Sequence, residues 1–278
     1  MATFKTFLKA GHPPTLFAAF LYFDFTFAIW VLNGAMAPFI SESFHLNAAQ
    51  KGFMVSVPII AGALMRFPLG VLSQYIGRKN AAMVEMGLII IALLYGYLFV
   101  GSHNEVLAMG VLLGIAGGSF GVALSLGSGW FPPKYKGLAM GIAGAGNSGT
   151  VLAVLFAPPL AMKYGWTAVY GLAAATMLLP MLVMWFCAKE PPDREEHQTL
   201  RDHVACLFEK DGWAFSLIYV MTGGGPAGAT DILTTFVYKN AFTSFNFGYA
   251  SALSMVLFAI VGAGSAAYIR AFGKDFLS

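Results

Sequence analysis

Polar positions divide this 278-residue chain into eight long apolar segments, roughly 14 to 37, 50 to 73, 80 to 100, 105 to 129, 137 to 162, 166 to 187, 212 to 237 and 246 to 269. About 20 apolar residues cross the hydrocarbon of a bilayer as a helix, so each segment predicts one span. One long polar stretch, Ala188 to Asp211, separates six spans from two and reads as a linker. The expected organisation is therefore a six-helix bundle over 1–187, a linker over 188–211 and a partial second bundle of two helices over 212–278. Composition agrees, with 58% hydrophobic and 10% charged residues, against about 25% charged in soluble domains.

The placement of positive charge orients the spans. Of the 16 lysines and arginines, Lys51, Lys163 and Lys239 fall at one set of loop ends, Arg66 lies inside a span, and all the others fall at the opposite set. That asymmetry predicts a multi-pass protein of the cytoplasmic membrane with both termini and the linker cytoplasmic. Met1 to Pro14 has two lysines and no small-residue cleavage site, so an uncleaved targeting helix is expected. Cys187 and Cys206 map to the cytoplasmic side as reduced thiols, and the five histidines form no cluster with metal-ligand spacing. No cofactor, metal or nucleic acid is expected. The spans carry no set of residues for nucleophilic or metal-assisted catalysis, which argues against an enzyme.

Arg66 is the one basic residue deep inside an apolar segment, and its own segment holds no acid. A guanidinium keeps its charge and costs about 2.5 to 3.5 kcal/mol or more at mid-membrane, so it belongs at a polar cavity. The arrangement predicts a small-anion site; the alternative is an arginine tied to backbone carbonyls or to an acid on another helix. Asp24, Glu85 and Asp231 are the intramembrane acids. Asp24 and Glu85 are candidates for proton coupling or for a salt bridge to a loop arginine such as Arg78.

The fifth segment contains Gly137-Leu138-Ala139-Met140-Gly141-Ile142-Ala143-Gly144-Ala145-Gly146-Asn147-Ser148-Gly149. At helical spacing Gly137, Gly141, Gly144 and Ser148 form a small-residue stripe that admits another helix, and the fourth span offers Gly114, Gly117, Gly118 and Gly121 as its partner. Packing does not explain Asn147, whose carboxamide needs either another helix or a polar ligand.

The turn after the second span reads Gly70-Val71-Leu72-Ser73-Gln74-Tyr75-Ile76-Gly77-Arg78-Lys79, and the eighth segment closes with a weaker copy, Ala266-Ala267-Tyr268-Ile269-Arg270-Ala271-Phe272-Gly273-Lys274. This spacing resembles the loop signature of the major facilitator superfamily, whose parallel six-span repeats hold substrate near the midplane. Within that superfamily the chain is similar to the nitrate/nitrite porter family over Phe23 to Trp166. The residues that carry the likeness are Tyr22-Phe23-Asp24, Gln50-Lys51-Gly52, Met65-Arg66-Phe67-Pro68-Leu69-Gly70, Trp130-Phe131-Pro132-Pro133 and the glycine-asparagine segment.

The resemblance implies an all-α polytopic fold of the major facilitator type, complete in its first six helices and continuing into the first two of the second bundle. It implies transport of nitrate or nitrite. By resemblance Arg66 binds the anion, Asn147, Gly144 and Gly146 belong to the signature lining the same site, Phe120 is an aromatic wall, and Tyr219 contacts the anion. Gly70, Gly77 and Arg78 belong to the conformational loop motif. A planar guanidinium suits planar nitrate, because it offers paired donors to two oxygens. The chain departs from the family where a second arginine and a further aromatic are expected, at Gly262 and Gly223, and where Gln74 replaces the loop acid. Helices nine to twelve are not in the sequence. Three readings stay open: an anion porter alone, as an oligomer or with complementing helices; a facilitator for another small anion or a drug; and a non-transporting remnant.

Overall fold

The computed structural model describes residues 4–192. Tyr219, Gly223, Asp231, Gly262 and the two expected spans after the linker lie outside the described residues. The chain divides into two compact units, Met1–His197 and Gln198–Ser278, and the first is the one described.

Every regular element among the described residues is helical. A short helix, Phe4–Lys9, precedes six helices long and apolar enough to cross a membrane: Pro13–Ser43, Ala48–Ile76, Arg78–Leu98, His103–Ser128, Pro133–Tyr164 and Trp166–Cys187. Local chemistry accounts for their ends. Asn47 and Gln50 form a reciprocal capping box at the start of the second span, at 2.9 and 3.0 Å. Ser102 caps the fourth span, and Pro133 opens the fifth, where a missing N–H leaves no helix bond unmade.

Two glycines make the tightest connections. Gly77 (φ 89°, ψ 154°) alone joins the second span to the third, and Gly165 (φ 86°, ψ 150°) alone joins the fifth to the sixth. Side chains other than hydrogen are strained in this conformation. The recurrence of one backbone solution three spans later exposes a three-plus-three repeat inside the bundle, finer than the six-span repeat read from the sequence.

The first and fourth spans are the most enclosed, 61% buried over their apolar windows, against 22% for the second and 28% for the fifth. The core lies between the first, third, fourth and sixth spans, where Tyr22, Phe23, Met36, Met86, Ile89, Leu93, Met109, Leu113, Tyr170 and Met177 are fully buried. Buried polar groups join spans across it. Thr26 Oγ1 donates to Ser119 Oγ at 2.8 Å, Tyr170 Oη donates to Asn33 Oδ1 at 2.8 Å, and Tyr22 Oη donates to Glu85 Oε2. Such bonds hold transmembrane helices together by about 0.6 to 2 kcal/mol each.

The glycine contacts differ from the expected stripe. In the fifth span Gly137 and Gly141 have open space where a Cβ would stand, and Gly144 would meet Leu124 at an ordinary 3.6 Å. The close approaches belong to Gly146 and Gly149, both against the first span. A Cβ on Gly146 would stand 2.8 Å from the Asp24 nitrogen and the Phe20 oxygen. In the fourth span Gly114, Gly117 and Gly118 pack on the second span and on Trp30 rather than on the fifth. The fifth span still touches the fourth, since a Cβ on Gly127 would stand 3.1 Å from the Ala143 Cβ, but its closest glycine approaches are to the first span; both the fourth and fifth spans carry a 3-10 turn in mid-helix, Ile115–Gly118 and Ala145–Ser148. These turns rotate the glycine register away from ideal α spacing.

Candidate functional site

The site is built outward from Trp30. Its indole N–H donates to the Pro58 carbonyl at 2.8 Å. Gly62 and Gly117 let the second and fourth spans close on the ring, since a Cβ on either would stand 2.6 Å from its nitrogen. Arg66 follows Gly62 by one helical turn, which sets its guanidinium carbon 5.9 Å from the Trp30 ring centroid. Its Nε donates to the Gly117 carbonyl at 3.3 Å, within the 3-10 turn of the fourth span.

Those two contacts use one edge and one face of the guanidinium. Of its five donors, four lie on Nη1 and Nη2, and these make no hydrogen bond or ion pair among the described residues. The contact posed as the alternative for Arg66 is present in part: Nε is bound to a backbone carbonyl, and no acid among the described residues pairs with the side chain. The side chain is exposed on the open face of the unit.

An aromatic series runs from this arginine across the first span. Trp30 lies 4.9 Å from Phe27, Phe27 lies 4.2 Å from Phe23, and Phe23 lies 5.6 Å from Phe120. Phe120 stands one turn beyond Gly117 and is 42% exposed. Phe23 also carries the contact to Gly146, and Asn147 follows with its side chain exposed. Arg66 and Phe120 thus contact the same stretch of the first span, Phe23–Trp30, and Asn147 follows the glycine that packs on Phe23. Gly146 is buried in the helix contact itself, Gly144 is half-buried beside Leu124, and Gly70 has open space around it. Tyr219 lies outside the described residues.

The two acids occupy other places. Asp24 accepts from Ser148 Oγ at 2.7 Å, tying the first span to the fifth just past Asn147. Glu85 is fully buried against Tyr22, and its Oε1 has no partner. Arg78 Nη1 donates to the Ser125 carbonyl at 3.3 Å, while the bonds shown for the two acids are with Ser148 and Tyr22. Sequence reasoning missed Trp30, and it placed Ser148 in the small-residue stripe without its bond to Asp24. The signal for Trp30 was present as an indole in the middle of an apolar span, one residue type that brings a donor needing an acceptor.

Comparison with known proteins gives this arrangement its family. The chain matches the Major Facilitator Superfamily over residues 18–276. It is 33% identical over 169 residues to the probable nitrate transporter NarT of Staphylococcus carnosus, covering 59% of this chain and 43% of that protein. It is 30% identical over 224 residues to the probable nitrate/nitrite antiporter NarK1 of Thermus thermophilus, covering 75% of this chain and 50% of that protein. The chain thus spans about half the length of these curated relatives. Among solved structures, a bacterial homologue of the human lysosomal transporter Spinster, inward-facing and unoccupied, superimposes with a TM-score of 0.59 at 19% identity, covering 94% of this chain and 64% of that one. With a match across nearly its whole length and six membrane-competent helices, the chain belongs to the Major Facilitator Superfamily as a multi-pass membrane protein.

Proposed function

We propose that this chain is the anion-binding part of a carrier that moves nitrate or nitrite across the cell membrane, with its arginine-rich and lysine-rich end facing the cytoplasm. The observation that carries this reading is the state of Arg66. Its Nε and its face are held by Gly117 and Trp30, while the fork of Nη1 and Nη2 is left to a ligand. A planar trigonal anion takes two parallel hydrogen bonds from such a fork. In this reading Phe120, exposed one turn after the Gly117 that Arg66 contacts, supplies an aromatic wall, and the Asn147 amide donates to a remaining oxygen. The names of the relatives support the same substrate class.

The test is nitrate and nitrite uptake into proteoliposomes containing the whole chain, with Arg66→Lys beside it. Lysine keeps the charge and loses the paired donors, so uptake should fall about 30- to 100-fold, the equivalent of about 2 to 3 kcal/mol. Competition with tetrahedral anions should be weak. Absence of uptake by a correctly inserted parent chain, or uptake indifferent to the lysine, would overturn the reading.

A further inference from the structure

The residues just beyond the sixth span form a contact that the transport site does not need. The helix ends at Cys187, Ala188 is extended (φ −82°, ψ 143°), and Glu190 precedes Pro191, which disfavours a return to helix. The short extended segment Ala188–Glu190 then crosses the ends of three other spans. Glu190 accepts the backbone N–H of Arg78 on one carboxylate oxygen at 2.8 Å and that of Lys79 on the other at 2.9 Å. These are the first two amides of the third span, and Gly77 before them supplies no side-chain cap.

The contact is reciprocal. Lys79 Nζ donates back to the carbonyls of Trp185 at 2.9 Å and Ala188 at 2.7 Å, closing the carboxyl end of the sixth span. An acid from the exit of the sixth helix caps the start of the third, and a base from the start of the third caps the end of the sixth. Each charge has the sign that its helix end favours. The segment is tied further by Lys189 N to Thr15 Oγ1 at 2.9 Å and by Trp130 Nε1 to the Lys189 carbonyl at 3.0 Å. Gly77 fits this arrangement twice, because a Cβ there would meet the Glu190 carboxylate at 3.0 Å as well as face a positive φ.

We propose that Glu190 is a positioning residue: its carboxylate holds the Gly77-Arg78-Lys79 turn in place and couples that turn to the chain leaving the sixth span. Its role in transport rests on the reading of the chain as an anion carrier; the clasp itself does not. Hydrogen–deuterium exchange of the whole chain in nanodiscs, with fragmentation that resolves single amides, reads it directly. Glu190→Ala should speed exchange at Arg78 and Lys79 about tenfold or more and leave the mid-span amides unchanged. Glu190→Gln, with a single acceptor oxygen, should expose one of the two amides. Unchanged exchange in Glu190→Ala, or a rise spread through all six spans, would overturn the proposal.

Uptake kinetics supply the second readout. Glu190→Ala should lower the maximal rate several-fold and leave the half-saturating nitrate concentration unchanged. A shifted half-saturation, or an unchanged rate, would remove the positioning role. A parent chain without uptake would sink the carrier reading alone, and the exchange experiment would still decide the clasp.

Discussion

Arg66 and Arg78 lie twelve positions apart on consecutive spans, and they are solved in opposite ways. At Arg78 the protein supplies the partners: Ser125 takes the side chain, Glu190 takes the backbone, and Lys79 beside it caps a neighbouring helix. At Arg66 the protein supplies a platform and one acceptor, then stops. A cation whose donors are filled by backbone and side chains is part of the scaffold. One held by its Nε and its face, with Nη1 and Nη2 unbonded among the described residues, is the group on which the proposed anion site rests.

The largest effect that could break this contrast is functional. Arg66→Ala should abolish measurable nitrate uptake, a loss of about 100-fold or more, with the protein still melting near the parent temperature. Arg78→Ala should do the reverse, lowering thermal stability in detergent and leaving the half-saturating nitrate concentration in place. Equal behaviour of the two variants would erase the distinction.

A pair of glycines tests the same contrast in packing. Gly146→Ala drives a methyl group into the first span and should cost about 1 to 3 kcal/mol, read as a lower melting temperature. Gly137→Ala, on the open face of the same span, should be neutral or stabilise by up to about 1 kcal/mol through helix propensity. Trp30→Phe keeps an aromatic face under Arg66 but removes the donor to Pro58. It should cost about 1 kcal/mol of stability and weaken nitrate binding a few-fold, measured by isothermal titration.

The smallest effect lies at the filled end. His12 caps the first span by accepting from Thr15 N at 3.2 Å, which requires an unprotonated ring nitrogen. Burial first, and then the positive charge of Lys189, hold its pKa below the ordinary histidine value. The unfolded chain therefore takes up the proton first as pH falls through about 6.5. The stabilising contribution is complete above that pH and is lost below it. Melting temperatures taken between pH 7.5 and 5.5 should fall slightly, and His12→Asn, which caps without titrating, should flatten the slope.

Six spans were legible in the sequence because a bilayer imposes a length on apolar runs, and the observed helices begin close to the expected starts. Arg66 and Asn147 stand out in the sequence as candidates because a charge and a carboxamide inside such runs demand an explanation. Which helix each glycine meets was not legible. The small-residue spacing pointed from the fifth span to the fourth, which it does touch at Gly127 and Leu124, whereas the closest approaches, at Gly146 and Gly149 around a 3-10 turn, are to the first span. A change of helix type leaves no periodic trace in four residues. The partners of Asp24, Glu85 and Glu190 were equally hidden, since each lies more than sixty positions away in the chain. Glu190 fell within the polar stretch read as a linker, and only the fold brings it to the third span.

The 3-10 turns of the fourth and fifth spans also act as a screw thread. Each 3-10 residue rises about 2.0 Å and turns about 120°, against about 1.5 Å and 100° in an α-helix. Rewinding either four-residue turn into α form would shorten its span by about 2 Å and swing one end about 80° relative to the other. One thread bears the Gly117 carbonyl that Arg66 grips, and the other bears Asn147. The Gly117 carbonyl that Arg66 holds and the Asn147 carboxamide of the proposed site thus both sit where the winding of a span changes.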